Sequence, residues 1–173
     1  MKTVLHLLLG GILLPGMVLL VVPGILVWLY PIELPSPTLV RYWFSKVLLP
    51  AGFVTMGVTT AQFVIEGHGT PAPWAPPKKL ITTGLYAYVR NPMILGMLLM
   101  LGGEALLIAS VPIGIWCALV TLAVLAHIHL FEENGLYKRF GEDYLTYRAN
   151  VPAWLPRLKA WTPTDGSDAE PVA

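Results

Sequence analysis

From Val4 to Tyr30 the chain runs through 27 residues without a formal charge. That is long enough to cross the apolar core of a bilayer, and too long for the apolar stretch of a secretory signal, which spans roughly 7 to 15 residues. Similar runs follow, and four spans are predicted at about 4–30, 47–65, 93–111 and 112–131, against the roughly 20 residues a bilayer requires. Charged residues make up 12% of the chain and hydrophobic ones 55%, whereas about 25% charge is usual in a soluble domain. The expected fold is an all-α integral membrane protein of about four transmembrane helices. Its C-terminal half is expected to hold a tight helical hairpin, followed by an interfacial helix.

A net charge of +1 leaves no basic stripe with which to track a phosphate backbone, so a nucleic-acid partner is not expected. The one cysteine, Cys117, lies in an apolar run and reads as a small packed residue. An even number of spans puts both termini and the 66–92 loop on one side. That side holds Lys2, Lys78, Lys79, Arg90, Lys138, Arg139, Arg148, Arg157 and Lys159, and the other holds Arg41 and Lys46. Nine cations against two predict a multi-pass protein with both termini and the long loop in the cytoplasm.

Pro15 and Pro23 should kink the first span. Residues 31–37 read as a short connection. Gly67 to Pro77 is rich in proline and glycine and should run as an extended strap, either a plain linker or a lid with Trp74 at the interface. Beyond Glu133, Leu136, Tyr137, Phe140, Tyr144 and Tyr147 keep one helical face apolar, as suits a helix lying in the headgroups, with a break plausible at Gly141. From Thr162 onward the small polar tail reads as disordered. The organisation expected is an N-terminal helical part over 1–65, a functional core over 66–161 and the tail over 162–173.

Two polar clusters flank the last two spans: Arg90-Asn91-Pro92 before the third, and His127, His129, Glu132 and Glu133 at the end of the fourth. A turn near residue 111 puts His129 level with Met93 or Ile94, and Glu132 and Glu133 level with Arg90 and Asn91. The clusters should therefore converge near Gly96. An arginine, an amide, imidazoles and two carboxylates suit a small zwitterion: Arg90 is a fork for a carboxylate, and Glu132 or Glu133 accepts from hydroxyls or an ammonium. The plainer readings are a headgroup anchor for Arg90 and a solvated helix end for the glutamates.

Glu104 lies roughly 16 Å into the third span at about 1.5 Å per residue. A carboxylate at that depth is a functional candidate, whether catalytic or in contact with substrate, or else a neutral hydrogen-bonded carboxyl, its partners Thr55, Thr59 and Thr60 or a water-filled tunnel. A metal site is not expected, because His127 and His129 project about 200° apart on a helix and no His-Glu-x-x-His pattern is present.

The phrase Gly84-Leu-Tyr86-Ala-Tyr88-Val-Arg90-Asn91-Pro92-Met-Ile-Leu-Gly96, followed by Glu132-Glu133-Asn-Gly-Leu136 and by Phe140-Gly141-Glu142-Asp-Tyr144-Leu-Thr-Tyr147 with Val151-Pro152 and Pro156 beyond, resembles the isoprenylcysteine carboxyl methyltransferase and phospholipid methyltransferase superfamily over roughly residues 66–156. The resemblance implies an integral membrane enzyme using S-adenosyl-L-methionine, held by the last two spans and the segment after them. It implies that Tyr86, Arg90, Asn91, Pro92, Gly96, Glu132, Glu133, Tyr144 and Tyr147 bind the cofactor, with His129 and Gly103 weaker placements. Arg90, Glu133 and Glu104 are the catalytic candidates. Many members carry histidine where Asn91 stands and tyrosine where Ile94 stands, so the acceptor stays open between a lipid and a small lipophilic molecule. Two alternatives remain: a nicotinamide-dependent membrane reductase of the sterol reductase kind, and a non-catalytic membrane scaffold.

Overall fold

A computed structural model describes residues 14–30, 36, 39–70 and 76–163, and every regular element among them is helical. Helix α1 (Met17–Leu29) starts as a π turn, Met17–Val21, and α2 is Val40–Ile65. A 3₁₀ turn at Gly84–Ala87 precedes α3 (Pro92–Ile108). Helix α4 (Val111–His127) runs through a second π turn, Ile128–Glu132, into α5 (Glu133–Asn150).

Two helices are long and apolar enough to cross a membrane, Val40–Ile65 and the continuous Val111–Asn150; Met17–Leu29 and Pro92–Ile108 are shorter apolar helices. Both long helices turn their apolar side chains outward, as at Phe53, Val54, Leu119 and Leu122. A core helix of a soluble protein would bury them, so this surface suits lipid.

The first expected span begins outside the described residues, but its expected irregularity is present. Pro23 has no N–H, and a π register would direct the Val18 carbonyl at it. Trp116 of α4 fills the gap, its Nε1 donating to Val18 O at 3.0 Å. The second span is longer than expected: α2 opens at Val40, so Arg41 and Lys46 sit inside its first turns. Their aliphatic stems let the charges reach out of an apolar zone, and Lys46 Nζ rests 5.2 Å above the Tyr42 ring.

The most extensive helix contact is between α2 and α3, and glycines set its distance. A Cβ at Gly52 would collide with the Gly96 carbonyl, and one at Gly96 would come 2.9 Å from Gly52 O. A Cβ at Gly103 would meet Leu49 at 2.8 Å. The two backbones thus cross directly, as small residues permit between membrane helices.

Helices α3 and α4 join at Ala109 and Ser110, slightly before the expected turn near residue 111. Ala109 takes a left-handed φ of 49°, Ser110 caps α4 by accepting from Ile113 N at 3.4 Å, and Pro112 lies in the first turn, where its missing N–H costs nothing. Leu19, Met97, Leu101, Ile113, Cys117 and Val120 form the core between α1, α3 and α4. Cys117 is buried there, its thiol donating to Leu101 O at 3.3 Å.

In α5 the chain breaks at Gly141, with φ 54° and ψ −128°, as a residue without Cβ allows. Beyond the break Tyr144, Tyr147 and Val151 form a second core with Leu80, Leu136, Phe140 and Trp161. The strap expected over 67–77 is not extended at its ends: Lys78 N donates to Gly67 O at 2.8 Å, and Gly67 and Gly69 pack on Pro77. Without side chains these glycines let the loop close on itself. Trp74, most of the 31–37 connection and the tail from 164 lie outside the described residues.

Gly52→Ala should destabilise the protein in detergent by about 1–3 kcal/mol, because two backbones must move apart. Gly102 has nothing within 4 Å of its added Cβ, so Gly102→Ala should be neutral or stabilise by up to about 1 kcal/mol. Thermal unfolding of both variants in one detergent checks the contrast.

Candidate active site

The approach to α3 is folded back on itself and tied down by the end of the chain. Gly84 enters the 3₁₀ turn with φ 54°, against the Gln62 amide, which donates to Thr83 O at 3.2 Å. Residues 152–161 then lace along 87–90: Arg90 N donates to Pro152 O at 2.9 Å, Arg157 N to Tyr88 O at 2.9 Å and Trp161 N to Ala87 O at 3.0 Å. Tyr147 adds a buried hydroxyl bond to Tyr86 O at 2.8 Å.

This lacing fixes Arg90 as it meets α5. Its Nη1 donates to Glu133 Oε1 at 2.9 Å and to the Tyr144 hydroxyl at 3.1 Å. Arg148 takes the other oxygen, its Nη2 lying 3.2 Å from Glu133 Oε2. Arg90 and Glu133 are only 12% and 16% exposed, whereas Arg148 is 49% exposed, so the first pair is the structural one. Arg90 Nε is buried without a hydrogen-bond partner. A guanidinium with one arm committed and a second donor uncommitted is open to an anionic group.

Burial pushes the hydroxyls of Tyr86, Tyr144 and Tyr147 above the ordinary phenol range. For Tyr86 the neighbouring Tyr147 and Glu132 add to the effect, while for Tyr144 and Tyr147 Arg90 works against it. All three therefore stay neutral hydrogen-bonding groups at physiological pH.

Of the residues singled out in the sequence, Tyr86, Arg90, Glu133, Tyr144 and Tyr147 converge, and the Glu132 charge reaches Tyr86. Counting from Ala109 and Ser110 would set Glu133 beside residue 86. The folded-back 84–91 segment is what brings Arg90 to the same level. Asn91 faces elsewhere, its amide donating to Ala153 O at 3.3 Å. Pro92 opens α3, and the bare Cα of Gly96 serves the α2 crossing. His127 stacks on Phe131 at 5.6 Å, and His129 is exposed.

Glu104 stands apart from this group, about 18 Å along α3 from Pro92 at 1.5 Å per residue. Its Oε2 is buried without a partner. The threonines expected to bond it do otherwise: Thr55 Oγ1 and Thr59 Oγ1 each donate at 2.8 Å to carbonyls of their own helix. Sequence reasoning missed Arg148, although it lies one turn after Tyr144. It also missed how residues 152–161 lace along 87–90, since backbone bonds leave no side-chain pattern.

A cavity of about 360 Å³ opens among α2, the 85–89 segment, α3 and Pro156, lined by Thr55, Leu85, Tyr88, Val89, Pro92, Leu95, Leu99 and Pro156. Its walls are almost wholly apolar, and Val89 and Pro92 bracket Arg90 and Asn91.

Removing one member of the Arg90 and Glu133 pair strands a buried charge, so Arg90→Ala or Glu133→Ala should each cost about 3–5 kcal/mol, with the double variant costing less than their sum. Arg148→Ala should cost at most about 1 kcal/mol. A double-mutant cycle read by denaturant unfolding in mixed micelles checks both.

A family model described as phospholipid methyltransferase matches residues 40–143. A protein-S-isoprenylcysteine O-methyltransferase of Schizosaccharomyces pombe is 32% identical over 79 residues, which cover 46% of this chain and 34% of the relative. The human protein of that name is 32% identical over 80 residues, 46% of this chain and 28% of the relative. Methanethiol S-methyltransferase 2 of Bradyrhizobium diazoefficiens is 37% identical over 81 residues, 47% of this chain and 30% of the relative. The matched span thus covers about a third of the length of these relatives. No solved structure matches the chain.

Proposed function

The chain belongs to the phospholipid methyltransferase family, and on that premise we propose that it transfers a methyl group from S-adenosyl-L-methionine to a lipophilic or small acceptor at the membrane. The observation that carries this reading is the divided guanidinium of Arg90, with Nη1 committed to Glu133 and Tyr144 and Nε buried and unpartnered. A carboxylate such as the cofactor's would take the uncommitted donor. Glu132, exposed beside Tyr86, is placed to accept from an ammonium or ribose hydroxyls.

The cofactor, when bound, supplies a methyl group already activated by its sulfonium. What remains for the protein is positioning and exclusion of water. Arg90 orients; Glu133, with both oxygens taken by arginines, holds Arg90 in place and is a positioning residue; Tyr86, Tyr144 and Tyr147 dry the surroundings. No side chain need act as a base, since a carboxylate or thiolate acceptor attacks as it stands. The acceptor approaches through the apolar cavity between α2 and α3, whose wall includes Val89 and Pro92 on either side of Arg90 and Asn91 in the sequence. In this reading α1 to α4 span the bilayer with the site and both termini in the cytoplasm, where nine of the eleven cations fall. Methyltransferases among the family and relatives favour this chemistry over a nicotinamide reductase or a scaffold.

Titration calorimetry of the purified protein with S-adenosylhomocysteine should show binding, and no heat beyond dilution would sink the assignment. Arg90→Lys keeps a cation for Glu133 but loses the fork, so it should bind about 10- to 100-fold more weakly with the fold intact. Leu95→Trp, which fills the cavity, should raise KM for a lipophilic acceptor and leave cofactor affinity unchanged. Equal losses in both would place the cofactor in the cavity instead.

A further inference from the structure

The segment from Val151 to Trp161 holds two large aliphatic side chains away from the protein. Leu155 is 80% exposed and Leu158 wholly so. Their loop is braced: besides its bonds to Ala87, Tyr88 and Arg90, Arg157 Nη1 donates to Asn150 O at 2.8 Å and closes the loop at its base. Bulky aliphatic groups fixed outward on a braced loop mark a surface that meets something apolar.

The cavity wall shows what lies beside them. Pro156, between the two leucines, lines the same cavity as Thr55 of α2 and Leu95 and Leu99 of α3. Leu99 is seven residues into α3, about 10 Å at 1.5 Å per residue. The loop therefore abuts the outward flank of two apolar helices at the level where α3 begins. From Val151 to Trp161 the sequence has two bases, Arg157 and Lys159, and no acid; Lys159 is exposed, as are Lys78 and Lys79. Apolar prongs among cations match the chemistry of an anionic phospholipid interface.

We propose that Val151 to Trp161 is a membrane anchor for anionic phospholipid, with Leu155 and Leu158 among the acyl chains and Arg157 and Lys159 at the headgroup phosphates. The same strand holds Arg90 N through Pro152 O and the Asn91 amide through Ala153 O. Lipid engagement therefore steadies the guanidinium, a consequence that rests on the methyltransferase reading, whereas the anchor itself does not.

The test uses the full chain in nanodiscs of phosphatidylcholine with or without phosphatidylglycerol. With Cys117→Ser and Leu158→Cys carrying a bimane label, lipid-borne nitroxide should quench the fluorescence and aqueous acrylamide should not. The opposite pattern overturns the anchor. Phosphatidylglycerol should tighten S-adenosylhomocysteine binding about fivefold for each headgroup-facing cation, and Lys159→Gln should remove about fivefold of that gain. Leu155→Ser with Leu158→Ser should abolish the gain at unchanged helix content, since neither side chain packs within the protein. Equal affinity in both lipid mixtures overturns the link to Arg90. If S-adenosylhomocysteine binds in neither, the methyltransferase reading is what fails, and the quenching still decides the anchor.

Discussion

A guanidinium buried at the mouth of an apolar helix has to be neutralised, and around Arg90 that requirement organises much of the structure between the start of α3 and α5. The positive end of the α3 dipole adds to the charge of Arg90, so the site calls for anions from two causes. Glu133 answers at 2.9 Å, and to do so α4 must continue past its apolar run into α5. Tyr144 adds a neutral hydroxyl that accepts from Arg90 from beyond the Gly141 break. Without that break a straight helix would carry Tyr144 and Tyr147 away from Arg90.

What holds the pair in place is mostly backbone. The irregular segment from Pro152 to Trp161 gives and takes hydrogen bonds along Ala87 to Arg90, and such bonds, once sheltered from water, are costly to break. The Arg90 side chain is thereby presented at one height and heading. The direct crossing of α2 and α3 at Gly52 and Gly96 does the same for the helix behind it. Because that crossing spends the bare surface of Gly96 on α2, the glycine of the motif supports the site from behind.

The pairing of Arg90 with Glu133 was legible in the sequence, because helix geometry converts residue counts into depth. The count succeeded for a reason it did not contain: the true turn, at Ala109 and Ser110, sits about two residues earlier than assumed, and the folded-back 84–91 segment restores the level. The break at Gly141 and the burial of Cys117 were also legible, each from one residue's chemistry in its context. The start of α2 was not, since Arg41 and Lys46 look like loop charges until their long stems are considered. The partners of Glu104 were misjudged because threonines in a helix satisfy themselves on their own carbonyls. The 152–161 segment showed only its motif residues Val151, Pro152 and Pro156; its lacing along 87–90 was not legible, because main-chain bonds do not depend on which side chains are present.

Asn91 shows how local chemistry and tertiary demand divide a single motif. As the residue before α3 it would ordinarily cap the helix with its side chain, yet it makes no capping bond and its amide reaches Ala153 O instead. The helix start is left to Pro92, whose missing N–H needs no partner there. Of the two residues that depart from the usual family motif, Asn91 is thus turned toward the 152–161 segment, while the neighbouring Arg90 reaches Glu133 and keeps a buried Nε without a partner.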